Sequence, residues 1–90
     1  MLGGRYLKDA FKAMADPTRR EILMLLKEGE MTVSEIADHF DVSMASISQH
    51  LKILTNANLV RFRKDGKYIY YQLHASIVED LIHWLIKLSN

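Results

Sequence analysis

Thr32-Val33-Ser34-Glu35-Ile36-Ala37-Asp38-His39-Phe40-Asp41-Val42-Ser43-Met44-Ala45-Ser46-Ile47-Ser48-Gln49-His50-Leu51 holds two helix starts eleven residues apart. Thr32 followed three residues later by Glu35 is a capping box, in which hydroxyl and carboxylate satisfy each other's backbone donors. It predicts a short helix over residues 33–40 with Ile36, Ala37 and Phe40 on its inner face. Asp41-Val42 interrupts that helix, and Ser43 caps a second one over residues 44–56. Helices joined by so tight a turn cross steeply, which is the helix-turn-helix arrangement.

Upstream, residues 5–14 read as a helix with Leu7, Ala10, Phe11 and Met14 on one face. Asp16-Pro17 combines a cap with a proline at the first helical position and opens a helix over residues 17–28. Ile22, Leu23, Leu25 and Leu26 are its apolar side, and Gly29 is its stop. Arg19 and Arg20 fall in its first turn, where the helix dipole disfavours cations. They need compensation, from Asp16 or Glu21, or else a phosphate.

Downstream, residues 59–64 and 67–73 have strand character around Asp65-Gly66, a two-residue hairpin loop. A loop placed there sets Lys64 opposite Lys67, Arg63 opposite Tyr68, Phe62 opposite Ile69, Arg61 opposite Tyr70 and Val60 opposite Tyr71. Alternation then turns Val60, Phe62, Ile69, Tyr71 and Leu73 inward, and Arg61, Arg63, Tyr68 and Tyr70 outward. Ser76 caps a last helix that ends near Leu88. The expected fold is mainly α with a small β-hairpin: a winged helix-turn-helix of about five helices and a two-stranded wing, one domain spanning residues 1–90.

Composition narrows the function. A net charge of +1 excludes coating of nucleic acid by bulk charge, so any positive surface must be local. A chain of 90 residues with 49% hydrophobic content carries more apolar material than a small core hides, which points to self-association. The absence of cysteine removes disulfides, thiolate metal sites and cysteine nucleophiles, and suits the cytoplasm. Apolar runs such as Ile22 to Leu26 are far too short to span a bilayer. Met1-Leu2-Gly3-Gly4-Arg5 leads into no apolar stretch of the signal-peptide kind.

Two surfaces stand out. With Ile47, Leu51 and Leu54 inward, the opposite face of the 44–56 helix holds Ala45, Ser48, Gln49 and Lys52, with Ser46 and Asn56 at its edges. That face is short, polar and free of acids. Gln suits an adenine edge, and Ser suits a base or a phosphate. A plain solvated face would look similar. The hairpin places Arg61, Arg63, Lys64 and Lys67 against the single acid Asp65, with Arg able to lie across Tyr68 and Tyr70. A phosphate backbone is the natural counter-charge. An edge hairpin charged against aggregation is the competing explanation.

Ala15-Asp16-Pro17-Thr18-Arg19-Arg20-Glu21-Ile22-Leu23, the run Ser43 to Leu54 with Ser46, Ser48, His50, Leu51 and Leu54, and Gly66-Lys67-Tyr68 with Tyr71 and Leu73 resemble the second helix, recognition helix and wing of the ArsR/SmtB repressors. The resemblance covers nearly the whole chain, and is nearest to a small autorepressor subgroup without a metal site. It implies a homodimer on an inverted-repeat operator, repressing transcription. Its recognition helix would use Ser43, Ala45, Ser46, Ser48, Gln49, His50 and Lys52, and its wing Arg61, Arg63, Lys64, Lys67 and Tyr68. First and last helices would pair through Leu7, Phe11, Leu81, Trp84, Leu85 and Leu88. The last helix agrees, since Ile77, Val78, Leu81, Ile82, Trp84, Leu85 and Leu88 make a stripe too wide for one contact.

The chain departs from the family's metal sensors. Glu35-Ile36-Ala37-Asp38-His39 has no thiol, and the last helix offers Asp80 and His83 without a second His pair. His39, His50, His74 and His83 give no converging set of about four ligands. No metal or cofactor is expected, although a metal-responsive repressor stays an alternative. Release from DNA would then fall to a protein partner, an anti-repressor. Catalysis is not expected: Ser46 and His50 are one turn apart but have no orienting acid or oxyanion donors. The rival function is a winged-helix protein-interaction module without DNA binding.

Overall fold

The structure is a computed structural model that describes residues 4–89, with side chains described from Leu7 onward. The reading of Met1-Leu2-Gly3 as no leader lies outside the described residues. Along the chain run α1 (Gly4–Met14), α2 (Pro17–Lys27), β1 (Met31–Thr32), α3 (Val33–Ala37), α4 (Met44–Asn56), β2 (Val60–Asp65), β3 (Tyr68–Leu73) and α5 (Ala75–Ser89).

The expected caps do their work. Asp16 accepts from the Arg19 backbone N–H at 3.0 Å and starts α2. Thr32 and Glu35 exchange both bonds of the capping box at 3.2 and 2.9 Å. Ser43 accepts from the Ser46 N–H at 3.1 Å and starts α4. Helix α3 ends at Ala37 rather than at Phe40. His39 and Phe40 donate to Ile36 and Ala37, so the last turn tightens to i→i−3 bonds before the chain turns. Ser76 lies in the first turn of α5, not at its cap.

One buried cluster joins the elements. Ile22 and Leu26 from α2, Ile36 from α3, Ile47, Leu51 and Leu54 from α4, and Leu59 and Val60 before the wing pack together. Ala10 and Ala13 of α1, Ala57 after α4 and Leu81 of α5 complete it. Phe11 is 40% exposed, not buried, and meets Trp84 with ring centroids 6.1 Å apart.

Two features of the sheet differ from expectation. It has three strands in the order β1-β3-β2, because Met31 and Thr32 pair with Tyr71 and Tyr70. Two residues are too short to show alternation in a sequence. The hairpin register is also shifted: Val60 faces Leu73, Phe62 faces Tyr71, Arg63 faces Tyr70, Lys64 faces Ile69 and Asp65 faces Tyr68. The loop is Gly66-Lys67, with Gly66 at φ +62°. An Asp65-Gly66 loop of the I′ kind asks positive φ of Asp65 as well, whereas a II′ turn asks it only of a leading glycine. The pairing moves by two residues, so each side chain keeps its face while Lys64 and Lys67 cease to be opposite.

Candidate nucleic-acid interface

Helix α4 is oriented by its buried stripe. Ile47, Leu51 and Leu54 have no solvent exposure, which turns Ala45, Ser48, Gln49 and Lys52 outward. Ser46 and His50 are half-buried at the edges of that face. Ser43 is exposed, and its oxygen accepts the capping bond from the Ser46 N–H. Met44 shares the stripe of Ser48 and Lys52, four and eight residues on, and is 51% exposed. Sequence reading passed over it because a methionine at a helix start looks like core.

The wing stands beside the start of this helix. A shallow cleft of about 290 Å³ has Met44, Val33 and Thr32 on one side and Lys67, Tyr68 and Ile69 on the other. Groups at the first turn of α4 and at the ribbon tip therefore border the same hollow. Phe62 and Ile69, expected to pack inward, are 47% and 37% exposed because the ribbon runs out past the core. Only Val60 on that face is fully buried, with Tyr71 and Leu73 half-buried.

The ribbon's cations are not equivalent. Arg61, Lys64 and Lys67 are exposed, Lys67 with its Nζ 5.4 Å from the centre of the Tyr68 ring. Arg63 is held. Its Nε donates to Glu30 at 3.0 Å, its Nη2 donates to the second oxygen of Glu30, and Asp65 lies 3.6 Å from its Nη1. The guanidinium also covers Tyr70 at 4.7 Å. Hydrogen bonding to Arg63 keeps the Glu30 carboxyl below its ordinary range, and the same bond raises Arg63. The ribbon thus faces two acids, Glu30 and Asp65, where the sequence alone offered one. Glu30 lies 33 residues before Arg63, and no local pattern links them.

Arg19 and Arg20 find a third form of compensation. Arg19 donates from Nε to the Ala13 carbonyl at 2.7 Å and from Nη2 to the Lys12 carbonyl at 3.2 Å. Arg20 donates from Nη1 to the Met14 carbonyl at 2.7 Å. Both therefore sit at the negative C-terminal end of α1, where the dipole favours cations. Backbone donation from Arg19 holds the Asp16 carboxyl below its ordinary value, with the Arg19 charge adding to it.

Of the expected pairing residues, Leu81 is buried in the domain's own core and Leu7 is half-buried against it. The 77-78-81 stripe of α5 is the one that faces inward. Phe11, Trp84, Leu85 and Leu88 remain exposed, as do Ile82 and Ile86. Among the described residues no group of three His, Asp or Glu side chains is placed to hold a metal ion. No helix among them is long and apolar enough to cross a membrane.

Residues 16–61, which carry α2, the helix-turn-helix and the first strand residues of the wing, match the family model described as bacterial regulatory protein, arsR family. The chain belongs to the arsR family. The transcriptional repressor SdpR of Bacillus subtilis (strain 168) is 45% identical over 84 residues, covering 93% of both chains. The arsenical resistance operon repressor of Staphylococcus aureus is 40% identical over 86 residues, covering 93% of this chain and 83% of that one. A homodimeric winged helix-turn-helix DNA-binding domain from Mycobacterium bovis superposes with a TM-score of 0.79 at 28% identity, over 94% of this chain and 79% of the other. The arsR-family match accounts for the winged helix-turn-helix expected from the capping box, the Ser43 cap and the hairpin.

Proposed function

We propose that this arsR-family chain is a sequence-specific double-stranded-DNA-binding transcriptional repressor, acting as a two-fold dimer on an inverted repeat. The observation that carries this is Met44, which shares a helix stripe with Ser48 and Lys52 on the acid-free outward face of α4 and borders the same cleft as the wing tip. The relatives are repressors, and the Mycobacterium bovis domain is a homodimeric DNA binder. Ser46, Ser48, Gln49 and Lys52, with Met44 beside them, would line the major groove. Arg61, Lys64 and Lys67 would neutralise flanking phosphates. The exposed apolar groups Phe11, Trp84, Leu85 and Leu88 would pair the protomers, holding the two α4 helices about 34–36 Å apart. Repression follows by steric exclusion where the operator overlaps a promoter, its own operon's being the natural case.

The test is selection of a bound sequence from a random duplex library, followed by titration over a range of salt. A repressor of this kind selects an inverted repeat and loses affinity steeply as salt rises. Gln49→Ala should cost about 1–3 kcal/mol at one position of the selected site and relax preference there. Failure to enrich any duplex would favour the protein-interaction module instead.

A further inference from the structure

The side chain of Arg19 does more than complete a helix end. Its three donor directions go to three places: Nε to the Ala13 carbonyl, Nη2 to the Lys12 carbonyl, and Nη1 to the Nδ1 of His50 at 3.4 Å. His50 lies on α4, one residue after Gln49. The guanidinium therefore spans from the last turn of α1 to the middle of α4. Its own backbone is pinned by the Asp16 cap, and the Asp16 carboxylate lies 4.0 Å from the same His50 nitrogen.

We propose that Arg19 is a positioning residue that ties α4 to the C-terminal end of α1, so that the helix carrying pairing contacts and the helix facing DNA turn as one body. This rests on the DNA-binding reading above. The buried stripe Ile47, Leu51 and Leu54 sets which face of α4 turns outward, but apolar packing is non-directional and leaves the angle between α4 and α1 to be fixed by directional contacts. A planar fork with fixed donor angles supplies the missing direction. The short link Ala15-Asp16 keeps α1 and the first turn of α2 together, so the reference point does not drift. A guanidinium has no acceptor, so the 3.4 Å contact is a hydrogen bond in the ring form that carries its proton on Nε2 and leaves Nδ1 bare. Arg20, which bonds only the Met14 carbonyl, anchors α1 without reaching α4.

The angle between α1 and α4 sets the separation of the two α4 helices across a dimer, so its readout is tolerance of half-site spacing. The experiment compares affinity for the selected operator with affinity for the same operator lengthened or shortened by one and two central base pairs. Arg19→Gln should lower the wild-type spacing preference by about three- to tenfold, the range commanded by one hydrogen bond, and leave random-duplex affinity within about twofold. Arg19→Lys should fail to restore it, because an ammonium cannot serve two carbonyls and an imidazole in one plane. A folded, dimeric Arg19→Gln protein with the full wild-type spacing preference would overturn the proposal. Should that variant not fold, nitrogen-15 spectra of the wild-type His50 ring decide: a bare Nδ1 with protonated Nε2 supports the tie, and the opposite tautomer refutes it. If the wild type enriches no duplex, the repressor reading fails separately, and the ring spectrum still answers for Arg19.

Discussion

Glu30→Gln should make this protein bind duplex DNA more strongly, and more steeply with salt. Glu30 holds Arg63 through two hydrogen bonds, so the wing has three free cations, Arg61, Lys64 and Lys67, rather than four. Three phosphate contacts per protomer are about six per dimer, and each contributes about −0.9 to the slope of log affinity against log salt. Removing the Glu30 charge leaves Arg63 stacked on Tyr70 and flanked only by Asp65. One recovered contact per protomer steepens the slope by about 1.8, so a fourfold rise in salt costs the variant roughly tenfold more affinity than it costs the wild type. The assay is fluorescence anisotropy on a random-sequence duplex between about 50 and 200 mM salt, the range over which counterion release is large. Glu79→Gln on α5 serves as the control for a unit change in net charge away from the wing. An unchanged or shallower slope for Glu30→Gln, or an equal steepening for Glu79→Gln, would refute the assignment of the wing to the phosphate backbone.

Asp16→Asn keeps the cap and removes the charge. The folded Asp16 carboxyl lies below its ordinary value of 3.8, so its stabilisation is complete well above that value and fades as pH falls through the lowered one. Urea midpoints of the two proteins should differ near pH 6 and draw together as the pH falls well below 3.8; a gap equally wide in acid would contradict the charge argument. Trp84→Lys with Leu88→Glu places charge on the exposed face of α5 and should yield monomers by gel filtration, with operator affinity lost and the thermal transition retained; a surviving dimer would remove α5 from the pairing surface. Leu51→Ala, at a position with no solvent exposure, should cost about 2–5 kcal/mol by urea unfolding, and a loss below that range would mean the core closes over the gap.

The parts legible in the sequence were those written in local chemistry. Asp16-Pro17, the Thr32–Glu35 box and Ser43 each act within one helical turn, and each started the helix it announced. Ile47, Leu51 and Leu54 fixed the outward face of α4 by periodicity alone. What escaped was set by contacts between distant residues or by choices of equal local merit. Asp-Gly fits a loop in either of two frames, and only the conformational demand on Asp65 separates them. The error left the faces intact because the pairing moved by two, not one. Glu30, beside a two-residue edge strand, reaches Arg63 across the central strand β3. Helix α5 is apolar on nearly every side, so periodicity had no contrast with which to assign Leu81 to the core and Leu85 to the surface.

The shifted register of the ribbon has a consequence for how it meets a polyanion. Lys64 lies on the side of Phe62 and Arg61 on the side of Tyr70, as in the expected register, while the shift moves Lys67 to the apex. A ribbon charged on both flanks and at its crest has no neutral side to present. In the proposed complex it would straddle a sugar–phosphate strand like a saddle, tolerating small rolls of the duplex without losing its hold.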